Sequence, residues 1–258
     1  MARIPVGLEL YSVRKDLDSD AFGTLKAVAA MGYDGVEFAG PPKHSGKELG
    51  EMLKQTGLRC CGWHTPFNLV QDDTLAATIE LNKAVGNTYV IIPGLPGHLV
   101  QTIADWAKMA DFFNRLADKL AVHGMVTGYH NHHTEFAAKE GTTPWDTFFG
   151  KVRTDVIMQM DVGNALRGGA DVMGILKRYP GRCQTIHLKP YSTKAGKDNP
   201  EAGFRPLIGA DEIAWLDLFS FCETQGKTAW YIVEYESDAY PPLDAVERCL
   251  KAVKAMGR

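Results

Sequence analysis

Four segments of the chain end on side chains that could together bind a divalent metal ion. The apolar runs GMVTGYHNHH, VIMQMDVGN, QTIHLKP and AWYIVEYE each have the character of a buried parallel strand that stops at a polar group. The polar groups are His130 or His132, Asp161, His187 and Glu234. Imidazole and carboxylate ligands suit Mn, Co, Zn or Fe, with Mg also open, and the weight of carboxylates favours Mn. The pattern predicts a metal-dependent enzyme.

Strands and helices alternate along the chain in the order expected of a (β/α)8 barrel. Eight short runs rich in β-branched and aromatic residues alternate with helical stretches that end before Gly or Pro. The carboxyl ends of the strands of such a barrel meet at one mouth. We therefore predict a single-domain TIM barrel over residues 1–258. The predicted strands are 4–12, 34–39, 58–65, 88–93, 125–132, 156–161, 183–189 and 229–236.

The connections predict helices, one long loop and one aromatic cluster. The loop, residues 191–209, follows the seventh strand, where a long loop usually serves as a lid or a substrate clamp. The aromatic residues from Trp106 to Phe113 are expected in the core or at the interface of a homo-oligomer. The predicted helices are 20–31, 47–55, 72–85, 99–123, 171–178, 211–225 and 243–256.

Composition and charge exclude several classes of protein. The 258 residues are 45% hydrophobic, which is enough for a large core, and the net charge of -3 offers no basic surface for nucleic acid or an anionic membrane. The apolar runs are too short to span a bilayer, and the first residues lack the pattern of a signal peptide. Five cysteines without a CxxC spacing indicate free thiols. We expect a cytoplasmic protein that acts on a small molecule.

Polar side chains also stand at the ends of most of the other predicted strands. One such residue is weak evidence, because a lone histidine or glutamate more often packs or forms an ion pair. A polar group on nearly every strand end is harder to explain by packing, since buried ionisable groups are costly without partners or a metal. Lys189 could stabilise developing negative charge. The residues expected to bind substrate are Glu9, Glu37, His64, Asn164 and Glu236.

Seven phrases along the chain carry a family resemblance. They are GLELYSVR, MGYDGVEFAG, WHTPF, YHNHHTEF, MDVGNALRGGAD, YPGRCQTIHLKP and WYIVEYE. Together they resemble the xylose-isomerase-like sugar isomerase and epimerase barrels over essentially the whole chain. The first phrase is similar to the family's G-x-Q-L-Y-S-x-R opening, with Glu9 in place of Gln. A YHNH phrase is found in subgroups similar to inosose dehydratases and keto-sugar lyases.

The resemblance implies a metal site built from Glu, Asp, His and Glu on strands five to eight. Asp161, His187 and Glu234 fall directly on three of these positions. The fourth departs from the family pattern, because His130 falls where the first Glu would be. Glu135 lies just beyond and is the alternative to His130 as the strand-five ligand.

Two outcomes follow from one first step of the implied chemistry. The metal would polarise a substrate carbonyl, and Glu234 would remove the neighbouring proton to give a metal-bound enediolate, with His130 or His132 on the opposite face. Reprotonation makes the protein a sugar isomerase or epimerase, which is the leading hypothesis. Loss of a hydroxyl or alkoxide makes it a dehydratase or lyase of inososes or 3-keto-glycosides. The presence of His130 at the position of the family's first Glu favours this alternative.

Two hypotheses belong to other classes of protein. A non-catalytic sugar-binding barrel would keep Glu37 and His64 and need no metal. An endonuclease related to abasic-site enzymes would need more metal ligands and a basic surface, which the acidic charge balance disfavours. The chain also lacks GxGxxG and phosphate-binding glycine motifs, which disfavours a nucleotide cofactor.

Overall fold

Eight parallel strands close into one barrel. The computed structural model describes residues 3–258, and each strand pairs with the next along the chain until the eighth pairs with the first. The strands are largely buried, as parallel strands covered by helices should be, and Arg59 at the start of β3 is exposed. The predicted TIM barrel is confirmed. The strands β1 to β8 are Val6–Glu9, Gly35–Ala39, Arg59–His64, Tyr89–Ile92, Val126–His130, Ile157–Asp161, Thr185–Leu188 and Trp230–Val233.

Helices connect the strands on the outside of the barrel. No helix within residues 3–258 has the length and apolar composition needed to cross a bilayer. Short 3₁₀ turns at Leu10–Val13, Phe67–Leu69, Gly97–Leu99, Thr134–Phe136 and Pro200–Phe204 and a π turn at Cys222–Gly226 complete the connections. The helices α1 to α10 are Arg14–Ser19, Ala21–Met31, Gly46–Thr56, Leu75–Ala84, Ile103–Ala121, Pro144–Lys151, Val162–Arg167, Val172–Arg178, Trp215–Phe221 and Pro242–Ala255.

The helix boundaries differ from the predicted ones where side chains cap the backbone. The helix predicted from residue 99 begins at Ile103, because the Thr102 side chain accepts a hydrogen bond from the Asp105 amide and Asp105 reciprocates. Asp20 likewise caps α2 rather than belonging to it. The prediction missed α1, α6 and α7, which have six to eight residues and too few turns to show a clear periodicity.

The aromatic cluster on α5 belongs to the core. Trp106 and Phe113 are 5% and 0% exposed. Trp106 packs edge to face on Tyr129 of β5 at 5.7 Å between ring centroids, and Phe113 packs on Phe148 of α6 at 4.9 Å. These side chains join α5 and α6 to the barrel. Of the two predicted locations, the core is therefore the one that the structure shows for Trp106 and Phe113.

A register irregularity between β2 and β3 decides which side chains face the barrel interior. Residues 36 and 37 pair with residues 60 and 62, so Cys61 is skipped. Cys61 packs against Trp230 inside the barrel, and His64 at the end of β3 also faces inward. A Cβ at Gly62 would lie 2.1 Å from Oε1 of Glu37. Any larger residue at position 62 would clash with the buried Glu37 carboxylate, so glycine is required there for steric reasons.

Candidate functional site

Four buried side chains from neighbouring strands converge at the carboxyl end of the barrel. His130 ends β5, Asp161 ends β6, His187 lies in β7 and Glu234 follows β8. Each offers one nitrogen or oxygen, and these four atoms lie within 4.8 Å of one another. Two imidazole nitrogens and two carboxylate oxygens are a donor set that fits a divalent cation of the Mn, Fe, Co or Zn type. We call these four residues the cation cluster.

The carboxylate of Asp161 is oriented by the start of α7. It is the N-cap of that helix, and its Oδ1 accepts a hydrogen bond from the Asn164 amide at 2.7 Å. Its Oδ2 accepts from the Asn164 side chain at 2.8 Å. Burial raises the pKa of Asp161 to about 7, although Lys189 acts in the opposite direction. Asn164, predicted to bind substrate, therefore also positions a member of the cation cluster.

His187 lies between two carboxylates. Its Nδ1 is 2.5 Å from Glu234 Oε2, and its Nε2 is 2.6 Å from Glu37 Oε2. Burial alone would lower the pKa of His187, but Glu37 and Glu234 raise it to about 10. A carboxylate on the far nitrogen of a metal-binding histidine fixes its ring and raises its basicity. Glu37 contacts Nε2 and is therefore placed to orient His187 so that Nδ1 faces the cation cluster.

Glu37 is not part of the cavity wall at the mouth of the barrel. It is 0% exposed and lies behind His64, whose Nε2 is 3.3 Å from Glu37 Oε2. Although burial would raise the pKa of Glu37, His64 and His187 lower it to about 2, so it is an anion. The predicted contact between Glu37 and a substrate hydroxyl is corrected accordingly. His64 lines the cavity in its place.

Gln159 of β6, which no sequence motif singled out, organises the two remaining histidines. Its amide nitrogen donates to Glu37 Oε1 at 2.9 Å. Since a carboxylate can only accept, this contact fixes which end of the Gln159 amide carries the oxygen. That oxygen, Oε1, then accepts from His64 Nε2 at 2.7 Å and from His130 Nδ1 at 3.1 Å.

The Gln159 contact sets the tautomer of His130. With the proton on Nδ1, the Nε2 atom of His130 is unprotonated, and it lies 3.7 Å from Asp161 Oδ2. Burial, together with His64 and His187, holds the pKa of His130 well below its usual value, so the ring is neutral. A neutral imidazole with a free Nε2 is the form that binds a metal.

Replacing Gln159 by methionine should weaken cation binding by about 10- to 100-fold, because His130 loses the acceptor that fixes its tautomer. Isothermal titration of the purified protein with Mn²⁺ measures this. The matched control is Gln225→Met, at an exposed position. An unchanged affinity in the folded Gln159→Met protein would show that the contact has no influence on the cluster.

The ammonium of Lys189 is buried among three carboxylates. It lies 2.8 Å from Glu234 Oε1 and 3.7 Å from Asp161 Oδ2, and it also contacts Glu236. Although burial opposes the charge, these carboxylates raise the pKa of Lys189. In return, Lys189 and His187 outweigh burial and hold the pKa of Glu234 well below its usual range. Burial and the charge of Glu234 raise the pKa of Glu236 to about 7.

The cation cluster opens into a cavity of about 740 Å³ at the mouth of the barrel. The 191–209 segment lies over one side and contributes Asn199, Glu201, Phe204 and Arg205 to the wall. Of the predicted site residues, Glu9, His64, His130, His132, Asn164, Lys189, Glu234 and Glu236 line this cavity. Tyr11, Arg14, His133 and Arg167 line the cavity as well and were missed. They lie within the GLELYSVR, YHNHHTEF and MDVGNALRGGAD segments but beyond the strand ends, to which the prediction was confined.

The two other strand-five candidates lie outside the cation cluster. His132 is exposed on the cavity wall, with its ring centroid 5.4 Å from that of His130. Glu135 is buried and accepts hydrogen bonds from Tyr129 Oη at 2.8 Å and from the His132 amide at 3.0 Å. These contacts hold Glu135 away from the cluster. The geometry therefore favours His130 over Glu135 as the fourth ligand.

Comparisons with known proteins point to one family. The family model described as a xylose isomerase-like TIM barrel matches residues 25–256. An inosose dehydratase of Yersinia enterocolitica is 25% identical over 250 residues, which cover 83% of this chain and 82% of that protein. A sugar phosphate isomerase/epimerase from Parabacteroides distasonis superposes with a TM-score of 0.79 at 21% identity, over 98% of this chain and 95% of the other. A D-allulose 3-epimerase from Methylomonas sp. superposes with a TM-score of 0.69 at 12% identity, over 99% of each chain.

Proposed function

We propose a function from the premise that the chain belongs to the xylose isomerase-like TIM barrel family. The proposed activity is the dehydration of a polyhydroxylated cyclic ketone with the help of a divalent cation, Mn²⁺ being the first choice. In this reaction a proton leaves the carbon next to the ketone, and a hydroxyl leaves the following carbon as water. Keto-sugars with another oxygen leaving group at that carbon would follow the same chemistry.

The observation that carries this proposal is the state of His130. An epimerase must remove a proton on one face of the substrate and return one on the other, which calls for two proton-transfer groups. His130 is engaged at Nδ1 by Gln159, and its Nε2 faces the cation cluster. A site whose strand-five group is such a ligand suits elimination better than exchange between two faces.

Each residue of the cation cluster and its surroundings has a proposed role in the reaction. His130, Asp161, His187 and Glu234 would hold the cation, which when bound would polarise the ketone oxygen. Glu234 is ionised and lines the cavity, so it is the proposed base that takes the proton next to the ketone. Lys189 keeps Glu234 ionised before the reaction and stabilises the negative charge that develops in the substrate.

The similarity to an inosose dehydratase supports this assignment. The inosose dehydratase of Yersinia enterocolitica is similar to this chain over 82% of its own length. An inosose is a pentahydroxycyclohexanone and has a hydroxyl on the carbon two positions from the ketone carbon. The cavity of about 740 Å³ has ample room for such a ring.

A second candidate function is the isomerisation or epimerisation of a keto-sugar. It is favoured by one observation, the presence of further proton-transfer groups in the cavity wall. Glu236 has a pKa of about 7, where a general acid or base works best at neutral pH, and His132 is exposed to the cavity. The epimerase names of the structural neighbours are in line with this candidate.

A parallel assay of the Mn²⁺-loaded protein with an inosose and a ketohexose separates the candidates. We expect loss of water from the inosose, detected by mass spectrometry and by the absorbance of the unsaturated product. Isomerisation or epimerisation without loss of water would contradict the proposed dehydration and favour the second candidate. Binding of either compound without turnover would support the non-catalytic sugar-binding barrel.

A further inference from the structure

Glu9 is a buried carboxyl group in the cavity wall that accepts no hydrogen bond. It ends β1 and is 1% exposed. Among residues 3–258 no N–H or O–H group donates a hydrogen bond to Oε1 or Oε2; the carboxyl group of Glu37 lies beside them, and His64 Nδ1 lies 3.6 Å from Oε1. Burying a carboxyl group without a hydrogen bond costs free energy of folding, which indicates that the group has a function. Since Glu9 lines the cavity, a bound substrate can supply the missing partner.

The proton shared by two neighbouring carboxyl groups belongs to Glu9. Glu9 and Glu37 are register partners on β1 and β2, and their oxygens lie within 4.8 Å. Two buried carboxyl groups this close do not both ionise. Glu37 is contacted by His187 at 2.6 Å and accepts from Gln159 at 2.9 Å, which stabilises its charge. Glu9 accepts no such hydrogen bond, so the proton of the pair lies on Glu9.

Glu9 also stands beside the proposed base. The β1 and β8 strands are paired with Leu8 opposite Val233, so the residues that follow, Glu9 and Glu234, emerge side by side at the mouth. Both line the same cavity. A substrate that presents its acidic C–H to Glu234 therefore has its neighbouring carbon within reach of a second carboxyl group.

We infer that Glu9 is the catalytic acid that protonates the leaving oxygen, an assignment that rests on the proposed dehydration. Glu234 takes the proton from the carbon next to the ketone in a reversible step, and the C–H electron pair moves toward the ketone to give an enolate. The enolate electrons then form the new C=C bond. The C–O bond on the following carbon breaks, and the Glu9 proton joins the leaving hydroxyl to give water. Glu9 is left as a carboxylate and Glu234 as an acid, and exchange with solvent restores both.

Glu9→Gln separates the two halves of this reaction. Glutamine has the size and hydrogen-bonding reach of a protonated glutamate but no acidic proton to give. We expect the Mn²⁺-loaded variant to dehydrate a pentahydroxycyclohexanone about 10²- to 10⁴-fold more slowly than the wild type. In D₂O it should still exchange the proton next to the ketone at the wild-type rate, as followed by mass spectrometry. Glu80→Gln, on an exposed side chain of α4, is the matched control.

Each outcome decides the assignment. Dehydration at the wild-type rate in Glu9→Gln would overturn the role of Glu9 and leave the proposed function intact. An equal fall in the rates of dehydration and of proton exchange would have the same meaning. If the wild type itself does not dehydrate the ketone, the proposed function fails and the role of Glu9 falls with it. Glu9→Asp provides a second variant if glutamine prevents folding. It keeps an acidic proton and should retain part of the dehydration, whereas a loss as complete as that expected for Glu9→Gln would contradict the assignment.

Discussion

Replacing Glu234 by glutamine should lower the turnover of the protein by about 10⁴-fold, the upper end of the effect of a general base. The substitution keeps the shape of the side chain but removes the anion that would take the substrate proton. It also puts a neutral amide in place of one anionic oxygen of the cation cluster and of the anionic partner of His187 Nδ1, which lies 2.5 Å away. The effect is measured as kcat and kcat/KM at saturating Mn²⁺. We expect kcat to fall, because the lost interaction acts in the chemical step.

The matched control for this prediction is again Glu80→Gln, which should retain wild-type kinetics because its exposed carboxylate pairs with Lys83 on the surface of α4. A Glu234→Gln protein with kcat close to the wild-type value would contradict the role of Glu234 as the base. It would also question the cation cluster as the site of the reaction.

Replacing Lys189 by methionine should destabilise the cation-free protein by about 3–5 kcal/mol, the cost of removing one partner from a buried ion pair. The ammonium is buried between Glu234, Asp161 and Glu236, which would be left to repel one another. Urea denaturation of the cation-free wild type and variant measures the difference. Lys15→Met, at an exposed position of α1, is the control.

The Lys189→Met effect should also depend on pH, with a sign fixed by the neighbouring carboxyl groups. Asp161 and Glu236 have pKa values of about 7 in the folded protein, above those of the unfolded chain. Without Lys189 these values rise further, so the folded state binds more protons than the unfolded state. The stability of the variant therefore increases as the pH falls, and the loss relative to wild type is smaller below neutral pH. A loss that grows on acidification would contradict this account.

The barrel and the members of the cation cluster could be predicted because they leave local signals in the sequence. A run such as VIMQMD has the apolar character of a buried strand, and the residue at its end must lie at the mouth of a parallel barrel. His130, Asp161, His187 and Glu234 are brought together by this rule alone. Glycine after a helix marked the ends of most helices for a similarly local reason.

The contacts that hold the ligands could not be predicted because they join distant parts of the chain. Gln159 and Glu37 are 122 positions apart, and nothing near either residue indicates that their side chains meet inside the barrel. The skipped residue Cys61 shifts the alternation of β3, which no period-two pattern can show. Glu37 was therefore predicted to touch substrate, whereas it lies behind His64.

The measurement that tests the central claim most directly is the divalent metal content of the purified protein by elemental analysis, beside Asp161→Ala and Glu234→Gln. The cation cluster predicts close to one equivalent of a transition metal, Mn²⁺ first, in the wild type after reconstitution. It predicts a large loss in both variants, because Asp161→Ala removes one of the four donors and Glu234→Gln replaces an anionic oxygen donor by a neutral amide. A wild-type protein that binds no metal after reconstitution, or variants that bind as much as the wild type, would contradict the claim that these residues form a metal site.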